Sequence, residues 1–199
     1  MKLPDIILAS TSPFRRQLLE RLELPFITQS PDVEEERIKG ESPTDMVQRL
    51  ALAKAQAVAK TRESGLVIGS DQCAVLDDRI LGKPGDADRA FEQLKDSSGR
   101  TVIFHTGLCL LNAANGKYQL EDVLFEVRFR QLSDQQIRNY LAREKPYNCA
   151  GSFKSEALGI TLFEAMKGDD PTALIGLPLM RLTDMLAVEG VQLPLPAED

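Results

Sequence analysis

Histidine is nearly absent from this chain: among 199 residues there is one, His105. It lies inside an apolar run, where a satisfied sheet or turn residue is the ordinary reading. A hydrolase built on histidine chemistry is therefore not expected. Cysteine is scarce too. Cys73, Cys109 and Cys149 are odd in number, widely spaced and form no Cys-x-x-Cys pair, so neither a zinc knuckle nor a disulfide framework is indicated. The start, Met1-Lys2-Leu3-Pro4-Asp5, has no basic segment followed by a long apolar one, and no signal peptide is expected. No apolar run approaches the ~20 residues of a membrane span. Positive charge is the minority sign, with 24 Lys and Arg against 30 Asp and Glu and a net charge of -6. A general nucleic-acid binder is normally basic, so that class is disfavoured. A small phosphorylated ligand stays compatible, because a few basic groups can converge locally on an acidic protein. The expectation is a cytoplasmic protein with neither a membrane nor a nucleic-acid partner.

What is present suffices for a sizeable core. Hydrophobic residues make up 43% and charged residues 27%, ordinary values for a globular chain whose length fits one domain or two small lobes. Ile6-Ile7-Leu8-Ala9 reads as a short buried strand feeding Ser12-Pro13, a cap with proline at the first helical position. The helix that follows carries Leu18, Leu19 and Leu22 on one face. Phe26 and Ile27 suggest a second strand, and the polar residues 30–42 a loop. Ser42-Pro43-Thr44-Asp45 opens another capped helix, running to about Arg62. Leu66-Val67-Ile68-Gly69 predicts a strand ending at Ser70-Asp71, followed by a hairpin of Cys73 to Leu76 with Ile80-Leu81. A helix is expected over 86–97. Thr101 to Leu111 and Leu120 to Phe129 are the longest β-like runs, joined by a hairpin signal at Asn112 to Gly116. Ser133 caps a helix to about Arg143, Leu158 to Phe163 predicts a further strand, and a last helix begins near Pro178. The sum is a mixed α/β chain with a long antiparallel or mixed sheet.

Several residues look chemical. Ala9-Ser10-Thr11-Ser12-Pro13 ends a strand in small hydroxyl residues and opens a helix, whose free N–H groups and dipole attract anions. Arg15 and Arg16 oppose that dipole unless an anion sits between them; solvated arginines behind a plain cap are the other reading. Lys54 falls within the apolar stripe of its helix, where an ammonium needs a partner or a stem that snorkels to the rim. Asp71, after Gly69-Ser70, ends an apolar strand and would project its carboxylate over the sheet edge; a turn aspartate is the blander reading. Glu34-Glu35-Glu36 offers oxygen to a hard cation such as Mg²⁺, or is a solvated charge run. In Gly82-Lys83-Pro84, proline holds Lys83 extended. Gly151-Ser152-Phe153-Lys154-Ser155-Glu156 is a polar loop between apolar runs.

Taken in order, Leu8-Ala9-Ser10-Thr11-Ser12-Pro13, Glu35, Lys54, Gly69-Ser70-Asp71, Gly82-Lys83-Pro84 and Gly151-Ser152-Phe153 resemble the Maf family of nucleotide pyrophosphatases. The resemblance runs from about residue 6 to 188. It implies one domain over 1–199 with two lobes, an ITPase-like fold around an elongated twisted mixed sheet, and a substrate cleft between the lobes. It also implies cleavage of a nucleoside triphosphate to monophosphate and pyrophosphate. Asp71 would be the proton acceptor, Glu35, Lys54 and Lys83 would join it in catalysis, and Glu35 and Asp71 would hold Mg²⁺ or Mn²⁺. Ser10, Ser12 and Arg15 would bind phosphate. Family members are often homodimers, so a homodimer is expected.

Phe14, Gln72 and Glu156 stand where the dTTP and UTP branch has arginine, threonine and glutamine. That combination resembles the 7-methyl-GTP pyrophosphatase branch. A 7-methylated guanine is cationic, so an aromatic face attracts it, and its two edge donors suit a carboxylate. A broader pyrophosphatase, acting on dTTP, UTP or other modified nucleotides, is the competing enzyme. A nucleotide-sensing regulator of cell division is the non-catalytic alternative.

Overall fold

In the computed structural model, residues 3–197 are described. Seven strands form one mixed sheet: β1 (Ile6–Ala9), β2 (Ile27–Gln29), β3 (Leu66–Leu76), β4 (Arg79–Leu81), β5 (Thr101–Asn112), β6 (Tyr118–Phe129) and β7 (Phe163–Lys167). The order is β2-β1-β3-β5-β6-β7, with β4 added to the edge of β3. β1 pairs in parallel with β2 and β3, and the remaining pairings are antiparallel. Five helices pack on it: α1 (Pro13–Glu20), α2 (Pro43–Ala59), α3 (Ala87–Ser97), α4 (Asp134–Glu144) and α5 (Leu179–Val188).

Local chemistry starts these helices where the sequence announces them. Ser12 accepts from the Arg15 amide ahead of Pro13, and Ser42 accepts from the Asp45 amide ahead of Pro43. Ser133 forms a full capping box with Gln136. Each cap satisfies backbone donors that the first turn leaves open.

The long strands carry two cores. At one end Ile6, Leu8, Leu66, Ile68, Leu108 and Leu110 pack against Leu18, Leu19, Leu182 and Leu186 of α1 and α5. At the other, Ala74, Leu76, Phe104, Val127 and Phe129 pack against Leu94, Ile137 and Tyr140 of α3 and α4. On the opposite face α2 lies along the sheet through Val47, Leu50, Ala51, Ala55 and Val58. β3 is thus covered on both faces, which is why its two ends, Leu66 to Ile68 and Cys73 to Leu76, are apolar without alternation.

Two sequence expectations are corrected. β3 does not end at Ser70-Asp71 but continues to Leu76, because β5 pairs with its whole length. Asp71 therefore lies inside a strand. The expected strand from Leu158 to Phe163 is a 3-10 turn over Leu158–Leu162, with β7 beginning at Phe163. There the chain must coil tightly against residue 154, since a Cβ on Gly159 would lie 2.2 Å from the Lys154 carbonyl oxygen. No helix is long and apolar enough to cross a membrane among the described residues.

Candidate active site

The cleft opens at a gap in the sheet. β1 covers Leu66 to Ile68 of β3, and β4 covers Ala74 to Leu76. Between them Gly69 to Cys73 has neither neighbour on that edge. A cleft of about 880 Å³ fills the space, and all ten residues singled out from the sequence line it: Ser10, Ser12, Phe14, Arg15, Glu35, Lys54, Asp71, Gln72, Lys83 and Glu156.

Lys54 is the centre of this arrangement. It is 4% exposed, and its Nζ lies 2.6 Å from Glu35 Oε1 and 2.7 Å from Asp71 Oδ1. It reaches them because α2 lies almost on the sheet backbone. A Cβ on Gly69 would stand 2.1 Å from the Ala51 carbonyl oxygen, and one on Gly107 2.2 Å from that of Val47. Two glycines on neighbouring strands admit the helix, and the helix brings an ammonium to the carboxylate. Strand alternation turns Asp71 towards α2 and turns Ser70 and Gln72 the other way.

On that second face the segment after β7 is pinned to the sheet. Ser70 Oγ and Arg15 Nε both donate to the Gly176 carbonyl, at 3.0 and 2.8 Å. Thr106 Oγ1 donates to the Ala173 carbonyl at 3.0 Å. The Gln72 amide nitrogen is occupied by Thr106 Oγ1 and the Ala173 and Leu174 carbonyls, so the oxygen is its remaining polar group. Arg15 thus leaves its helix for the cleft, whereas Arg16 stays outside with Glu20.

Electrostatics follow from this packing. Burial is the largest influence on Arg15 and lowers its pKa, opposed by the charges of Asp71 and Glu35. Burial works to raise the Glu35 pKa, but the Lys54 hydrogen bond and the charges of Lys54, Lys83 and Arg15 outweigh it. The Glu35 carboxyl is held below its ordinary range. Burial first, then Asp71 and Asp122, pushes the Cys73 thiol up to about 12, and burial raises Cys149 as well. Neither cleft cysteine is a thiolate nucleophile at neutral pH. His105 lies outside the cleft, bound to Asp122 Oδ2 at 2.7 Å.

No group of three or more His, Cys, Asp or Glu able to hold a metal occurs among the described residues. Two carboxylates meeting at one ammonium are nonetheless a hard oxygen pair. Mg²⁺ binds in that way, through one or two carboxylates and the substrate's phosphates rather than an all-protein cage. The donor set therefore fits.

A family model described as Maf-like protein matches residues 5–189. The chain belongs to the Maf-like protein family. It is 57% identical over 192 residues to the 7-methyl-GTP pyrophosphatase of Alcanivorax borkumensis, covering 96% of this chain and 98% of that one. Against the protein so named in Pseudomonas aeruginosa the identity is 54%, over 96% and 100%. Against that of Thiobacillus denitrificans it is 56%, over 94% and 94%. Among solved structures, a nucleoside-triphosphatase (dITP/XTP pyrophosphatase) from Mycobacterium abscessus is similar at a TM-score of 0.45 and 17% identity, over 96% and 100%. That likeness is too distant to bear on the site.

In this Maf-like chain the sequence reading missed the parts that hold others in place. Ser70 lies inside the motif Gly69-Ser70-Asp71, yet its carbonyl partner is 106 residues away. Of the segment Gly176-Leu177-Pro178 the sequence showed only a helix start near Pro178.

Proposed function

We propose that this Maf-like protein is a cytoplasmic 7-methyl-GTP pyrophosphatase, a single two-lobed domain that hydrolyses 7-methyl-GTP to 7-methyl-GMP and pyrophosphate. The observation that carries the reading is the buried Lys54 ammonium held between Glu35 and Asp71, in a cleft that also contains Arg15, Lys83, Phe14 and Glu156. The names of relatives at 57%, 54% and 56% identity support the choice of nucleotide.

Triphosphate oxygens compete with the carboxylates for Lys54 and take part of its charge. Asp71 then has an oxygen free to accept a proton from water. That water attacks the α-phosphorus, the bond to the bridging oxygen breaks, and pyrophosphate leaves with that oxygen. Arg15, Lys54 and Lys83 stabilise the charge that gathers on the leaving phosphates. Ser10, Ser12 and the open amides ahead of α1 cradle phosphate oxygens. When bound, Mg²⁺ or Mn²⁺ held by Glu35 and Asp71 would neutralise phosphate charge and help polarise the attacking water. At the other end Phe14 stacks on the cationic base, for about 0.5–2 kcal/mol of preference over neutral guanine. Glu156 accepts from the guanine edge, and would face an unpaired carbonyl if thymine or uracil were bound.

The test is kcat/KM for 7-methyl-GTP, GTP, dTTP and UTP with pyrophosphate detection. The wild type should prefer 7-methyl-GTP, and Glu156→Gln should weaken its hydrolysis more than that of dTTP. A wild-type preference for dTTP would refute the base assignment. Binding without turnover would refute the enzyme and leave a nucleotide sensor.

A further inference from the structure

Two loops carry the phosphate-facing and base-facing groups to the cleft, and one side chain ties them together from behind. Lys83 lies in Gly82-Lys83-Pro84, between β4 and α3, and Glu156 follows Gly151-Ser152-Phe153. Gln93 on α3 donates from its amide nitrogen to the Gly82 carbonyl at 3.1 Å. Its Oε1 accepts from the Ser152 hydroxyl at 2.5 Å. Neither Gln93 nor Ser152 lines the cleft. Gly82 presents only an acceptor to this amide, which fixes the orientation of the Gln93 nitrogen and oxygen.

Packing holds the Lys83 loop at its flanks, where Leu81 and Pro84 are buried, but leaves Gly82 and Lys83 exposed between them. A Cβ built on Gly82 or Gly85 meets nothing within 4 Å. Hydrogen bonds hold the exposed part: Gly82 to Gln93, and the Gly85 amide to the Tyr147 carbonyl at 2.9 Å. On the other side Ser152 is fully buried, with a left-handed φ of 64° beside Gly151 at 72°. A residue with a side chain seldom adopts that backbone, and a buried hydroxyl needs a partner. Among the described residues the Gln93 carbonyl is the side-chain partner it has.

We propose that Gln93 is a positioning residue that aims Lys83 at the leaving phosphates and makes that aim depend on the base-facing loop. The inference rests on the roles proposed above for Lys83 and Glu156. One planar amide, donating to one loop and accepting from the other, sets the distance between them. An apolar side chain of similar length fills the same space and sets nothing. The Gly85–Tyr147 bond involves only backbone, so the two segments stay attached when Gln93 is replaced.

The experiment measures kcat, KM and Tm for Gln93→Met, alone and combined with Lys83→Ala, using 7-methyl-GTP and dTTP. Gln93→Met should lower kcat for 7-methyl-GTP about tenfold or more with KM changed less than about threefold, and should affect dTTP less. In the Lys83→Ala background the same substitution should change kcat less than about twofold, since the group it positions is gone. Gln93→Glu keeps the acceptor for Ser152 but loses the donor to Gly82. It should share the kcat loss, and it carries the test if Gln93→Met fails to fold. Wild-type kcat in the Gln93 variants, or an equal loss with and without Lys83, overturns the coupling. If Lys83→Ala is itself fully active, the functional reading fails and this inference fails with it. A damaging Lys83→Ala beside a silent Gln93→Met sinks this inference alone.

Discussion

Lys54 is an ammonium with almost no access to water, and Glu35 and Asp71 make its burial tolerable. Leaving a buried charge with no partner costs about 3–5 kcal/mol, and two acids guard against that. Asp71→Asn removes one negative charge and the proposed base, while Glu35 still partners the ammonium. The variant should remain folded and bind nucleotide but lose about 10²–10⁴-fold in kcat. Near-normal turnover by a folded Asp71→Asn protein would remove Asp71 from its role. Glu35 gives a pH prediction. Its pKa is lowered in the folded protein, so the contact with Lys54 is fully stabilising above the ordinary glutamate pKa. That stability is lost as the pH falls through the lower, folded value. Carbon-detected NMR titration should show Glu35 ionising below ordinary glutamate, and closer to it in Lys54→Met. An unchanged Glu35 titration in that variant would show that another group depresses it.

At the scale of elements, α2 delivers chemistry because two strands give up their side chains beneath it. Gly107→Ala puts a methyl group 2.2 Å from a helix carbonyl oxygen and Gly69→Ala one 2.1 Å from another. The helix backbone cannot yield as a flexible side chain would. Each variant should lose at least about 1–3 kcal/mol, the usual cost of overpacking. Each should also lose activity beyond what the stability change explains, since Lys54 moves with the helix. Urea denaturation and assay at a temperature where the variant is still folded separate the two effects. Wild-type stability for Gly107→Ala would mean that α2 can be displaced at no cost. This is also where the sequence reading stopped short. Gly69 reads locally as the end of a strand, and only the packing of α2 on the sheet shows it to be a place of close approach.

At the scale of the molecule, a protein of net charge -6 gathers Arg15, Lys54 and Lys83 into one cleft. In the proposed complex those three cations would face a triphosphate and two carboxylates, so negative charge would remain in excess. Rigorous chelation should therefore abolish hydrolysis, and Mg²⁺ or Mn²⁺ should restore it. Full activity after metal removal would rule out the roles given to Glu35 and Asp71 as ligands. The sequence by itself determined what local chemistry determines. The caps at Ser12, Ser42 and Ser133, the apolar faces of the helices and the long hairpin of β5 and β6 were legible there, while Phe14, Gln72 and Glu156 stood out only through the family resemblance. Tertiary structure decided how those residues hold one another. The meeting of Lys54 with Asp71 depends on the absent Cβ atoms of Gly69 and Gly107. The aim of Arg15 depends on a carbonyl 161 residues away, and the hold on the Gly82 loop on a glutamine of the next helix. Such contacts leave no period or spacing in the chain, because their cause is the distance between surfaces that only folding brings together.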